Sequence, residues 1–358
     1  MNYFLRFGCW LTGMLLLLTY LFQATSCKTD PVFSCPLPLP AEPSGNITTI
    51  AFGSCSSQKK DQPILYSVAA KHPDLFVYLG DNIYGDTENM KELKNKYGQL
   101  SCKPEFQHLW QSCRVLATWD DHDYGVNDGG VEYAKKEESK QIFLDFWNEP
   151  AVSERRNHSG IYTSYYYGDS AHRVQIILLD CRTFRTRLIE NTAGDYIPNY
   201  DSTATMLGTE QWSWLNNELL NPAQFRIIAS STQFARSHDG YEAWDNFPLE
   251  QQKMFETIRN TQANGVVFVS GDVHLAELSV RDELNLYPVY DLTSSGLTQL
   301  EGVDIANANR LGNVVLDYNS GAIEIDWNVP DPIVKFKIYG LTGDELYHRE
   351  IHLSDIYF

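Results

Sequence analysis

Basic charge is scarce. The chain carries 28 Lys and Arg against 46 Asp and Glu, a net charge of −18 at pH 7. So acidic a chain repels nucleic acid and anionic lipid surfaces unless cations or local basic clusters intervene, and no nucleic acid is expected to bind beyond a possible substrate. An anionic substrate would need a positive device at its site, and bound metal ions are the obvious one. Cysteine is sparse too: seven residues, no CxxC pair and no regular spacing exclude a disulfide-built fold. Cys102 and Cys113 are candidates to pair in an oxidising compartment, as are Cys27 and Cys35 if Cys27 is not lipidated. Cys181, in the apolar run VQIILLDC, reads as a buried thiol. No internal repeat and no interdomain linker interrupts the chain after residue 47.

Long apolar runs are missing except at the N-terminus. Arg6 is the only charged residue in 1–26, Leu11–Phe22 is apolar, and Ala24–Cys27 places small residues before a cysteine. This reads as an export signal. A lipoprotein signal with Cys27 lipidated, a plain cleaved signal and an uncleaved anchor are the alternatives. All three export the protein: secreted, periplasmic or membrane-anchored. Residues 27–46 are a proline-rich tether. Residues 47–358 are expected to form one folded domain.

In that domain, β-like runs fall at 47–52, 75–79, 115–119, 174–179, 226–229 and 266–270. Helical spacing of apolar residues lies between them, at 62–72, 136–150, 208–221 and 248–265. Strands alternating with helices mean α/β. From Tyr287 onward strands follow one another, and they are expected to complete a second sheet of the same domain.

Four motifs end or adjoin apolar runs: AFGSC (Ala51–Cys55), LGDNIYGDT (Leu79–Thr87), TWDDHDYGVND (Thr118–Asp128) and VVFVSGDVHLAE (Val266–Glu277). Ligands of open α/β sheets collect beyond the carboxyl ends of strands. If these strands are neighbours, Cys55, Asp81, Asp121, His122, Asp272 and His274 converge. A strand-end acidic residue alone is usually a turn or cap; four motifs repeating one placement are not. Carboxylates, Tyr and Cys together suit a hard trivalent iron beside hard divalent cations, whereas a zinc site would favour His and Cys.

FGSC, LGDNIYGD, WDDHDYG and SGDVHLAEL, in this order, resemble the PhoD-like (alkaline phosphatase D) branch of the metallophosphoesterases. LLDCRTFRT and LTSSGL look like further segments of that family. The resemblance runs from about residue 47 to residue 300. It implies a four-layer αββα sandwich of two mixed sheets with a multinuclear metal site along one edge. It also implies that Cys55, Asp81 and Tyr84 bind Fe³⁺ with Asp272 nearby, and that Asp81 bridges to one or two Ca²⁺. Asp121 takes a metal-binding position and His122 the acid or phosphate-contact position. Asp272 replaces the first His of the usual Gly-His-x-His and His274 keeps the second. Gln233 stands where the superfamily has another His ligand. Arg182, directly after a strand, is the preferred phosphate contact of the cluster Arg182, Arg185 and Arg187.

The implied function is an exported, metal-dependent phosphoesterase acting on phosphodiesters, phosphomonoesters or both. A phospholipase D-type hydrolase and a non-catalytic calcium-binding surface protein are the alternatives. Specificity is expected to lie in loops at 102–113, 155–170 and 190–208.

Overall fold

The computed structural model describes residues 35–39 and 42–358. The signal, Cys9 and Cys27 fall outside these residues. The strands of the first half are β1 (Thr49–Gly53), β2 (Leu75–Leu79), β3 (Arg114–Thr118), β4 (Thr163–Tyr167), β5 (Val174–Leu178), β6 (Ile189–Glu190) and β7 (Tyr196–Ile197). Those of the second half are β8 (Phe225–Ala229), β9 (Val266–Ser270), β10 (Ala276–Arg281), β11 (Val289–Ser294), β12 (Arg310–Val315), β13 (Asn319–Asp326), β14 (Ile333–Gly340) and β15 (Glu345–His352). The helices are α1 (Ile64–Ala69), α2 (Met90–Ser101), α3 (Pro104–Ser112), α4 (Asp121–Tyr124), α5 (Lys136–Phe146), α6 (Gly208–Leu219) and α7 (Pro248–Thr261).

Two mixed sheets stand face to face. One has the order β15-β14-β13-β1-β2-β3 and the other β12-β10-β11-β9-β8-β5-β4, with β6-β7 a separate hairpin. Period-two alternation sorts the side chains of the first sheet. Ile50, Phe52, Leu75, Val77 and Leu79 point inward against Ile176, Leu178 and Ile227 of the second sheet. Ala51, Phe76, Tyr78, Val115 and Ala117 point outward, where α1, α2, α3 and α5 cover them with Leu65, Leu93, Phe106 and Phe143. Trp212 and Leu215 of α6 and Met254 and Phe255 of α7 cover the second sheet. This is the αββα layering expected from the resemblance. β1, β2 and β3 are parallel to one another. So are β5, β8, β9 and β11. Their carboxyl ends therefore share one edge of each sheet.

Three expectations are corrected. The C-terminal strands do not complete one second sheet: β13–β15 extend the first sheet beyond β1, and β11 and β12 belong to the second. Residues 102–113 are not a loop but contain α3, which spans roughly 13 Å at 1.5 Å per residue. Cys102 and Cys113 sit at opposite ends of that helix, too far apart for a disulfide. Cys102 instead pairs with Cys35, and Cys113 is a buried free thiol. The described part of the proline-rich segment is pinned to the domain by this bond. A hydrogen bond from Trp110 Nε1 to the Pro38 carbonyl (2.7 Å) and one from Asn148 to the Leu37 carbonyl (3.3 Å) pin it further.

Candidate metal centre

The turns after β1, β2, β3 and β9 close on one another. Gly80 lies at φ +105°, and a Cβ there would come within 2.5 Å of Asp120 Cβ. A Cβ on Gly271 would collide with Ser54 Oγ. Only glycine lets these turns touch. The turns are also stitched by backbone: Ser56 N–H donates to the Asp81 carbonyl at 2.8 Å, and Gly85 N–H to the His122 carbonyl at 2.9 Å. Of the ten described non-glycine residues at positive φ, five are Cys55, Asp81, Asp86, Asp272 and His274. Each such backbone costs on the order of 1 kcal/mol or more, and that concentration of strain is typical of functional sites.

Three groups of side chains follow, each with donor atoms within 4.8 Å of one another: Cys55, Asp81 and His274; Asp81, Asp121 and His122; Asp120, Asp121 and Asp272. Asp81 links the first two groups and Asp121 the last two, so the site is continuous. Cys55 Sγ lies 3.5 Å from Asp81 Oδ2 and is a free, fully buried thiol. Burial, then the charge of Asp81, pushes its pKa up. Burial and the neighbouring carboxylates likewise hold Asp81 and Asp272 well above the usual carboxylate range. Asp81 Oδ1, Asp120 Oδ2 and Asp121 Oδ1 are buried without hydrogen-bond partners. Buried, mutually repelling carboxylates with orphaned oxygens fit cations, which would neutralise them and complete their coordination.

Tyr84 borders the site. Its hydroxyl lies 3.2 Å from His274 Nε2, and its ring centroid lies 4.3 Å from that of His122. His122 Nδ1 meets Asp86 Oδ1 at 2.5 Å. Burial lowers the imidazole pKa. The Asp86 hydrogen bond and the charges of Asp121, Asp86 and Asp120 outweigh it and raise the value to about 9. His274 moves the other way, lowered by burial and by the charges of His122 and Lys60.

Two expected site residues are placed differently. Arg182 is fully buried, with Nε 2.5 Å from Asp120 Oδ1 and Nη1 at 2.8 and 2.9 Å from the Glu242 carboxylate oxygens. Its Nη2 lies 3.8 Å from Asp121 Oδ1. It is an internal counterion that holds two carboxylates of the cluster. Arg185 is buried on the far side of Glu242, with Nε 3.0 Å from Oε1, and Arg187 is exposed. The Gln233 amide is engaged outside the cluster. Its Nε2 donates to Glu277 (3.0 Å) and to Thr293 (2.9 Å), and its oxygen accepts from Arg236 (2.8 Å).

Sequence reasoning gave no role to Asp120, Asp86, Asp128 or Glu242. The first three lie inside the quoted motifs, where the density of acidic residues is the signal. Glu242 has no local signal, because only the fold brings it to Arg182.

The PhoD-like phosphatase family matches residues 50–288. Alkaline phosphatase D of Bacillus subtilis is 26% identical over 311 residues, covering 74% of this chain and 52% of that protein. The chain thus spans about half the length of this curated relative. A solved structure of PhoD superposes with a TM-score of 0.65 at 19% identity, covering 88% of this chain and 70% of that one. The purple acid phosphatase PPD1 of yellow lupin seeds superposes with a TM-score of 0.60 at 12% identity, covering 88% of this chain and 56% of that one. Strand-end motifs that close into one carboxylate-rich cluster, on a fold shared with these phosphatases and within the matched residues, give the conclusion that this chain belongs to the PhoD-like phosphatase family.

Proposed function

We propose that the protein is an exported, metal-dependent phosphoesterase that hydrolyses phosphodiesters, phosphomonoesters or both. The observation that carries this reading is the continuous cluster of Cys55, Asp81, Asp120, Asp121 and Asp272, with orphaned carboxylate oxygens and His122 at its rim. Cys55, Asp81 and Tyr84, with His274 alongside, would hold Fe³⁺. Asp81, Asp120, Asp121 and Asp272 would hold one or two Ca²⁺. The mixture of thiolate, phenolate and carboxylates suits that pairing. When bound, such cations neutralise phosphoryl oxygens and acidify a water at neutral pH.

The chain's own residues supply the rest. Arg182 holds the carboxylates of Asp120 and Asp121 in place. Asp86 fixes His122 through Nδ1 and keeps the ring protonated, so Nε2 can give a proton to the leaving alkoxide oxygen. A carrier of bound calcium has no use for such a proton donor. Export accords with the Cys35–Cys102 disulfide, a bond typical of oxidising compartments. Lipidation of Cys27 would make the exported protein membrane-anchored.

The test is turnover of a chromogenic phosphodiester by chelated and by metal-restored protein, beside an Asp81→Asn variant. Activity should vanish on chelation, return with iron and calcium, and be absent in the variant, whose far-ultraviolet circular dichroism should match wild type. Chelated protein or Asp81→Asn turning over normally would defeat the reading.

A further inference from the structure

The loop after Cys55 and the segment after β11 build a feature that the cluster does not use. Thr298 donates twice to the Cys55 carbonyl, from its N–H at 3.1 Å and from its hydroxyl at 2.9 Å. Ser57 N–H donates to Thr298 Oγ1 at 2.7 Å, and Leu297 N–H to the Ser54 carbonyl at 3.3 Å. Three residues further on, Glu301 N–H donates to the His274 carbonyl at 3.1 Å. Residues 297–301 therefore run along the site from Cys55 to His274.

Exposed Lys60 is held on this segment. Its Nζ donates to the Thr298 carbonyl at 2.8 Å and to Gln299 Oε1 at 2.5 Å. An ammonium has three protons, which leaves one for a further acceptor. Gln299 lies between the residues that hydrogen-bond the Cys55 and His274 carbonyls, so the cation is held beside the site. Beside Lys60 opens a cleft of about 350 Å³, walled by Pro63, Leu297, Tyr318 and Leu341. Its walls are largely apolar, and its rim carries Lys60, Thr298 and Asp61, whose carboxylate lies 3.7 Å from Lys103 Nζ.

Building on the phosphoesterase reading, we infer that this cleft is the subsite for the ester arm that stays on phosphorus. Lys60 would contact a non-bridging oxygen of the substrate phosphate, and the apolar walls would seat a bulky aromatic or alkyl group. An anchored cation over an apolar cleft complements a phosphodiester with a hydrophobic arm. A monoester has nothing to place there. The substrate class is therefore phosphodiesters carrying one large apolar substituent.

The test uses the metal-restored full chain and substrates with a shared leaving group: bis(p-nitrophenyl) phosphate, methyl p-nitrophenyl phosphate and p-nitrophenyl phosphate. Wild type is expected to favour the bis-aryl ester over the methyl ester by about tenfold or more in kcat/KM. Leu341→Trp, which fills the cleft, should erase that preference by raising KM for the bis-aryl ester alone. Lys60→Met should raise KM for the esters about tenfold with kcat retained, and Lys60→Arg should restore it. Calorimetric binding of uncleavable phenylphosphonate and methylphosphonate should show the same aryl preference and the same loss in Leu341→Trp. No aryl preference in wild type, a preference that survives Leu341→Trp, or a Lys60→Met effect on kcat or thermal stability alone would each overturn the inference. Turnover of none of the esters would overturn the phosphoesterase reading instead, and the phosphonate measurements would still decide whether the cleft binds an aryl arm.

Discussion

Asp86 accepts from Nδ1 of His122 at 2.5 Å, which leaves Nε2 as the nitrogen available for chemistry. Asp86→Asn should weaken that hold without removing a cluster carboxylate. If His122 protonates the leaving oxygen, the loss depends on how much the leaving group needs a proton. Phenyl esters should lose roughly tenfold or more in kcat, and p-nitrophenyl esters, which leave well unprotonated, clearly less. Measuring both esters on both proteins decides it. An equal loss for the two would remove proton donation from His122's role.

Asp121 is positioned from outside the cluster. Asp128 N–H donates to Asp121 Oδ2 at 2.8 Å, while Asp128 Oδ2 accepts from the Tyr196 hydroxyl at 2.6 Å. Oδ1 of Asp121 is thereby the oxygen left for a cation. Tyr196→Phe removes one hydroxyl on the β6-β7 hairpin and should weaken cation retention about tenfold, the lower range for such supporting contacts. Titration of metal-free protein with calcium, followed by calorimetry, would reveal the shift. An unchanged affinity would confine Tyr196 to holding the hairpin.

Tyr84 offers a test in colour. A phenolate on Fe³⁺ absorbs in the visible through charge transfer, so concentrated iron-replete protein is expected to be violet to brown. Tyr84→Phe should lose most of that band while Asp81 still holds the other cations. Active, iron-loaded protein without visible absorption would remove Tyr84 from the iron ligands.

The Cys35–Cys102 disulfide closes a sequence separation of 67 residues. In the chain-entropy view a loop of that length contributes about 4 kcal/mol, and native-state relaxation usually leaves less. Cys35→Ser should lower the melting temperature by several degrees, and reductant should do the same to wild type but not to the variant. Mass spectrometry of unreduced protein should find a peptide joining Cys35 to Cys102, with Cys55 and Cys113 as free thiols. A Cys102–Cys113 peptide would contradict the pairing.

What was legible followed burial. β2 and β9 are uniformly buried five-residue runs, and their bounds coincide with those read from the sequence. The strand-end motifs were legible for the same reason, since acidic residues directly after such runs have few uses in a core. β4 was missed because TSYYY is a half-exposed edge strand with no apolar alternation. α2 was missed because only Leu93, Tyr97 and Leu100 mark its buried face in a segment that is otherwise largely polar. The sheet that β13–β15 join depends on which edge is open, and no local pattern encodes that. Arg182 read as a phosphate contact because its counterions Asp120 and Glu242 lie about 60 residues away on either side. Cys102 found Cys35 rather than Cys113 because an intervening helix set the distance.

The staple at Cys102 also sets how far the site can travel. α2 begins just beyond Asp86 and ends at Cys102, so one helix of about 18 Å separates the His122 rim from the disulfide. If Cys27 carries a lipid, the proline-rich segment is fastened to the domain already at Cys35 and not only at its far end. The disulfide would then act as a range limiter. Reduction alone would lift that limit only in part, because Trp110 and Asn148 also hold the Pro38 and Leu37 carbonyls.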